Sequence, residues 1–145
     1  MSLTEEGKKL IREWETGGKR DTDEMKIDYE GFLHPAVLKR FAQYMNKNRV
    51  MRDGSIRESD NWQKGFGTYT EHMQTCMKSL WRHFHDVWSW QRDEDIEVDV
   101  DEALCGVMFN AMAMLHQLLE ERKDFSMKGF IEDLNKINEE IKNGN

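Results

Sequence analysis

The sequence predicts an all-α protein, a helical bundle of about five helices with two long central antiparallel helices. Three observations carry that expectation. Apolar residues recur at helical spacing through residues 68–92 and again through 100–122. A narrower seam, Phe130, Leu134, Ile137 and Ile141, steps by four, three and four. Proline occurs once, at Pro35, so nothing inside those stretches interrupts a helix.

The elements follow in chain order. Residues 3–15 read as a short amphipathic helix, because Leu3, Leu10, Ile11 and Trp14 fall close to one face, and Gly17-Gly18 stops it. A polar connector runs from Lys19 to Gly31. His34-Pro35 opens a second helix, with proline at its favoured first position. Val37, Leu38, Phe41, Tyr44 and Met45 continue it to about Asn48. Val50 to Gly67 is irregular, and Asp53-Gly54 suits the turn of a small hairpin near 50–57. A stretch this long without regular structure points to function.

The third helix begins near Thr68 or Thr70 and ends near Arg92. Ile96, Val98 and Val100 then alternate with Glu97, Asp99 and Asp101, the pattern of an extended piece. The fourth helix spans about Val100 to Arg122, with Asp99 and Glu102 resembling a capping box. Leu104, Val107, Met108, Ala111, Met114, Leu115, Leu118 and Leu119 form its expected buried face. Ser126 starts a fifth helix, and the last residues fray. The expected organisation is an N-terminal helix over 1–19, a helical body over 20–122, and a C-terminal helix over 123–145 packing on the body or on a neighbouring subunit. Two helices with more apolar surface than one contact can hide imply a homo-oligomer.

Composition excludes several classes. The chain has 145 residues and a net charge of −7, unlike a binder of long nucleic acid, which should be basic. No apolar run approaches the ~20 residues of a membrane span, and the N-terminus lacks the apolar stretch of a signal peptide. Cys76 and Cys105 make neither a disulfide framework nor a zinc site, so a cytoplasmic setting without membrane contact is expected. The charge is uneven. Seven of the 28 acids fall within residues 93–102, and the remaining 21 equal the 21 Lys and Arg.

That acidic segment is a candidate site for a hard cation such as Mg²⁺ or Mn²⁺, with Glu94, Asp95 and Glu102 as ligands. The alternative is a solvated loop whose last acids favour a helix N-terminus. An EF-hand is excluded, because Val98 replaces the glycine and Leu104 the glutamate of that loop. His83 and Asp86, three apart on a helix, can meet, and a carboxylate beside an imidazole raises its pKa. The alternative is a half-buried histidine with a local partner. His72 and His116 read as structural or exposed. Asn110 stands in an apolar run, where a buried amide serves either a ligand or a cross-helix hydrogen bond. Gly106, one turn earlier, lets a backbone or a flat ligand approach the same face. In the irregular stretch, Asn61, Trp62 and Lys64 could meet a nucleotide, Trp62 by stacking and Lys64 at a phosphate, with Arg57 nearby; the alternative is a loop anchored by Trp62. No phosphate loop, HExxH, CxxC or nucleophile elbow occurs.

The order HPAVL, SDNWQKG, SLWRHFHDVW and ALCGVMFNAMAMLHQLLE resembles a phage and prophage domain labelled dATP/dGTP diphosphohydrolase, N-terminal. The resemblance covers roughly residues 20–122. Its most specific pieces are Asn61, Trp62 and Gly65, the pair Arg82-His83, and Asn110. It implies a nucleotide-related helical domain from a phage in an infected or lysogenic bacterium, related to the MazG-like all-α pyrophosphohydrolases. It further implies hydrolysis of purine deoxynucleoside triphosphates to monophosphate and pyrophosphate with Mg²⁺ or Mn²⁺. On that reading Asp86 and His83 are catalytic, Asn61, Trp62, Lys64, Arg82 and Asn110 bind substrate, and Glu94, Asp95 and Glu102 hold metal. Two other functions stay open. One is a non-catalytic sponge that sequesters a nucleotide-derived signal of antiviral defence, without cofactor. The other is a structural or interaction protein using the C-terminal seam.

Overall fold

A computed structural model describes residues 11–21 and 26–144. The chain forms two compact units, residues 1–37 and 38–145. Its character is mostly all-α: among the described residues there are four α-helices, one 3₁₀ turn and a two-stranded sheet.

In the first unit, β1 (Ile11–Glu13) pairs antiparallel with β2 (Lys19–Asp21), Arg12 opposite Arg20 and Glu13 opposite Lys19. This corrects the helix expected over 3–15. The first part of that stretch lies outside the described residues, and its later part is strand. Gly17 (φ 82°) does not stop a helix but turns a hairpin, in which the Trp14 N–H donates to the Gly18 carbonyl at 2.8 Å. The Arg12 guanidinium sits 4.5 Å over the Trp14 ring. A four-residue helix, α1 (Tyr29–Phe32), follows, its N-terminus capped by Asp28.

Helix α2 (Pro35–Lys47) begins on proline, as the sequence predicts. The hairpin near 50–57 is reduced to one bridge between Val50 and Ile56, turned at Gly54 (φ 84°) and tied by Asp53, whose carboxylate accepts from the Ser55 N–H and hydroxyl. A 3₁₀ turn covers Asn61–Lys64. Helix α3 (Tyr69–Gln91) starts where expected, because Thr68 and Glu71 form a reciprocal capping box. It ends at Asp93, whose φ of 58° leaves the helical region. Residues 93–99 carry no strand; the alternation there makes an irregular link instead.

Helix α4 (Val100–Asn143) is one continuous helix where two were expected. The sequence at 120–126 supplies good helix formers and an i,i+3 pair between Glu120 and Lys123, with no residue that breaks the hydrogen-bond ladder. Asp99 is the N-cap residue but makes no side-chain cap bond. Glu102, the expected partner in a capping box, is taken by Arg40 and Lys47 instead.

Helices α3 and α4 run antiparallel: His72 near the start of α3 meets Ala113, and His83 meets Gly106 closer to the start of α4. Their shared face is not the one expected. The buried residues are small or polar (Cys76, Ala103, Cys105, Gly106, Ala113, His72 and Asn110), while Leu104, Met108, Leu115 and Leu119 are exposed. Small side chains bring the two backbones close, which rotates the large ones outward. His72 is the keystone of the pair. Its Nδ1 accepts from the Phe66 N–H at 3.1 Å, its Nε2 lies 2.9 Å from the Ala113 carbonyl, and its ring stacks on Phe66. These contacts fix the tautomer with the proton on Nε2.

A window of 18 residues within α4 has a mean hydropathy of 1.2, long and apolar enough by composition to cross a membrane, and 28% of it is buried in the fold. A core helix passes the same test.

Candidate functional site

Charged and aromatic side chains gather between the end of α2, the irregular segment 48–66 and the antiparallel pair. A cavity of about 230 Å³ opens there. Its walls come from distant parts of the sequence: Asn61 and Trp62 from the 3₁₀ turn, Arg82 and His83 from α3, and Phe109 and Asn110 from α4. Five of the ten residues singled out in the sequence thus line one space.

Three guanidiniums line it, from Arg49, Arg57 and Arg82. Arg49 donates through Nε to the Arg57 carbonyl at 2.6 Å and through Nη1 to the Asn46 amide oxygen. Arg57 donates through Nη2 to the Asn48 carbonyl at 2.6 Å. Neutral oxygens hold these two side chains in place and leave their charge uncompensated. Among the described residues, none of the three arginines makes an ion pair. Glu58 is the single carboxylate in the lining.

Trp62 is seated rather than free. Its ring meets Phe109 edge-on at 6.4 Å and His116 at 5.1 Å. Asn110 is buried and donates through Nδ2 to the Gly106 carbonyl at 2.8 Å, one turn back on its own helix. His83 lies flat against Gly106; a Cβ at that glycine would stand 2.5 Å from the ring. The sequence predicted a raised His83 pKa from Asp86. The direction is the reverse: burial pushes it down, Arg82 adds to that, and Asp86 opposes it only in part. His83 is therefore neutral at pH 7 and can accept a proton or a hydrogen bond.

A second cavity of about 600 Å³ adjoins the first, sharing Tyr44, Asn48, Arg82 and His83. Its other wall is acidic and includes Asp86, Asp95 and Glu102. Burial raises the Tyr44 pKa, with Glu102 adding to it, so the phenol keeps its proton on this shared wall.

Of the candidate metal ligands, Asp95 and Glu102 line the second cavity and Glu94 does not. Glu102 accepts from Arg40 at 2.9 Å and from Lys47 at 3.4 Å, and Asp101 accepts from Arg40 at 2.7 Å. These cations hold both carboxyls below the usual carboxylate range, through hydrogen bonds from Arg40 first. Glu94 lines neither cavity. Among the described residues no three His, Cys, Asp or Glu side chains form a group that could hold a metal ion.

Lys64 is exposed and lines neither cavity; Arg49, Arg57 and Tyr44 line the first. Arg49 and Tyr44 were not singled out, and Arg57 only as a neighbour of Trp62. The available signal was the run Arg49, Arg52 and Arg57 within a stretch already marked as unusually long and irregular.

Comparison with known proteins returns no match: no protein-family model matches the chain, no curated protein matches its sequence, and no solved structure matches its fold.

Proposed function

We propose that the chain binds a purine nucleotide, with the phosphate group among Arg49, Arg57 and Arg82 and the base beside Trp62, Phe109 and the amides of Asn61 and Asn110. One observation carries this reading: three guanidiniums that make no ion pair line a single cavity together with Trp62, Phe109 and the amides of Asn61 and Asn110, and with Glu58 as its one carboxylate. A guanidinium offers paired N–H donors that match phosphate oxygens, and an aromatic face suits a base. The volume, about 230 Å³, lies below the ~300–1,000 Å³ usual for small-molecule sites, so part of a nucleotide would have to extend into the adjoining cavity across Arg82 and His83.

On this reading the protein sequesters its ligand, a purine nucleotide or a nucleotide-derived signal, in the cytoplasm of a phage-infected or lysogenic bacterium, and needs no cofactor. Hydrolysis to monophosphate and pyrophosphate is the second reading. The observation in its favour is that Arg82 and the neutral His83 form a wall shared with the cavity of Asp86 and Asp95. His83 would then take a proton from the attacking water while the arginines neutralise charge developing on phosphate.

One experiment tests both. The purified chain is incubated with a panel of purine nucleotides, with and without Mg²⁺ and chelator, and both retained ligand and released pyrophosphate are measured. Ligand retained intact in chelator supports sequestration. Pyrophosphate release that fails in the His83→Gln variant supports hydrolysis. No retention and no release overturns both readings.

A further inference from the structure

Among the described residues, the second half of α4 has no partner. From Glu121 to Gly144 every residue is exposed, and no other helix packs there. Helices in proteins draw most of their stability from packing an apolar face. This one is far from featureless. Met127, Phe130, Leu134, Ile137 and Ile141 step by three, four, three and four, the spacing of the apolar seam of a coiled coil. Their exposures run from 43% to 64%; Ile131 (49%) flanks them, whereas Phe125 (79%) lies on the opposite side of the helix.

We infer that this seam pairs with the same seam of a second copy, in parallel and in register, and that the protein is a homodimer through residues 127–141. Three arguments select that occupant. First, the five seam side chains together with Ile131 present roughly 600 Å² of apolar surface, near the lower end of what each partner buries in a specific stable interface. Second, an in-register parallel pair sets each seam residue on its own counterpart, which needs no partner of different sequence. Third, the flanking charges permit it: Asp133 falls opposite Asn138 of the second copy, whereas an antiparallel pair would bring Asp133 toward its own counterpart. The inference does not depend on the ligand of the cavity, whose walls lie on the other half of α4 and on α3.

The test is the mass of the full chain in sedimentation velocity over a concentration series, beside Leu134→Glu/Ile137→Glu. The wild type should sediment with the mass of two chains and the double variant with the mass of one, at unchanged helicity by circular dichroism. If the double variant loses helicity, a second variant decides: Leu134→Cys, oxidised under mild conditions, should give a disulfide-linked dimer in high yield. A one-chain mass for the wild type at every concentration overturns the inference. So does a two-chain mass for a helical Leu134→Glu/Ile137→Glu. Co-sedimentation of a monomeric wild type with vesicles of mixed zwitterionic and anionic lipid would also overturn it, and assign the seam to a membrane surface instead.

Discussion

Replacing Gly106 with alanine has two opposing effects that can be separated. In a helix interior the change is worth about 1 kcal/mol of stability, from the lower backbone freedom of alanine in the unfolded chain. At this position the new methyl carbon would stand 2.5–2.6 Å from three atoms of the His83 ring, closer than such atoms can approach. Forcing the ring aside should cost about 1–3 kcal/mol, the range for overpacking a fitted site. Gly106→Ala alone should therefore be neutral to destabilising by about 2 kcal/mol. In a His83→Ala background the overlap is gone, and the same substitution should stabilise by about 1 kcal/mol. The sign changes with the partner, and the coupling of about 1–3 kcal/mol is what a double-mutant cycle measures. Urea unfolding of the four proteins at one chain concentration supplies the numbers. Equal, stabilising effects of Gly106→Ala in both backgrounds would show that the ring does not rest on α4. The cavity wall built from His83 and Asn110 would then be wrong.

Other expectations follow from the same geometry. His72→Phe keeps the ring stack on Phe66 but strands the Phe66 N–H and the extra bond to Ala113, and should lower stability by about 2–4 kcal/mol in thermal or urea unfolding; an unchanged midpoint would remove His72 from its keystone role. Arg57→Ala should weaken phosphate-bearing ligands by about ten- to a hundredfold in calorimetry, the worth of one charged hydrogen-bonding partner, while the exposed Lys64→Ala leaves affinity unchanged; the opposite ranking would move the phosphate site to the 3₁₀ turn. Because the folded His83 titrates below its ordinary 6.5, the unfolded chain binds more protons as pH falls through that range. Its contribution is fully present above about pH 6.5 and lost as pH falls toward the depressed folded value, so the stability gap between the wild type and His83→Gln should shift against the wild type on acidification. A gap independent of pH would refute the assigned direction.

Much of this architecture is legible in the residues because local signals agree with one another. Thr68 and Glu71 mark the start of α3 as a capping pair, and Pro35 marks the start of α2. Asn110 attracts notice because an amide inside an apolar run demands an explanation, and it lies in the cavity wall. Elsewhere tertiary choices override the pattern. The periodicity of residues 100–122 reveals a helix but not which stripe faces α3. Close approach through Ala103, Gly106 and Ala113 decided that, and put Leu104 and Leu115 outside. Gly17-Gly18 carries the same letters whether it ends a helix or turns a hairpin; pairing of Glu13 with Lys19 selected the hairpin. The acids of residues 93–102 looked like one cluster in sequence, yet Arg40, some sixty residues earlier, engages Asp101 and Glu102. No local reading foresees a partner that distant.

The unbroken course of α4 makes it a lever. Asn110, on the wall of the arginine-lined cavity, and Ile141, near the far end, are 31 residues apart on one rigid element, roughly 46 Å at the rise of an α-helix. Over that arm each degree of tilt at the cavity moves the far end by about 0.8 Å. A ligand that changes how α4 sits against α3 is thereby registered at the opposite tip without any intervening hinge.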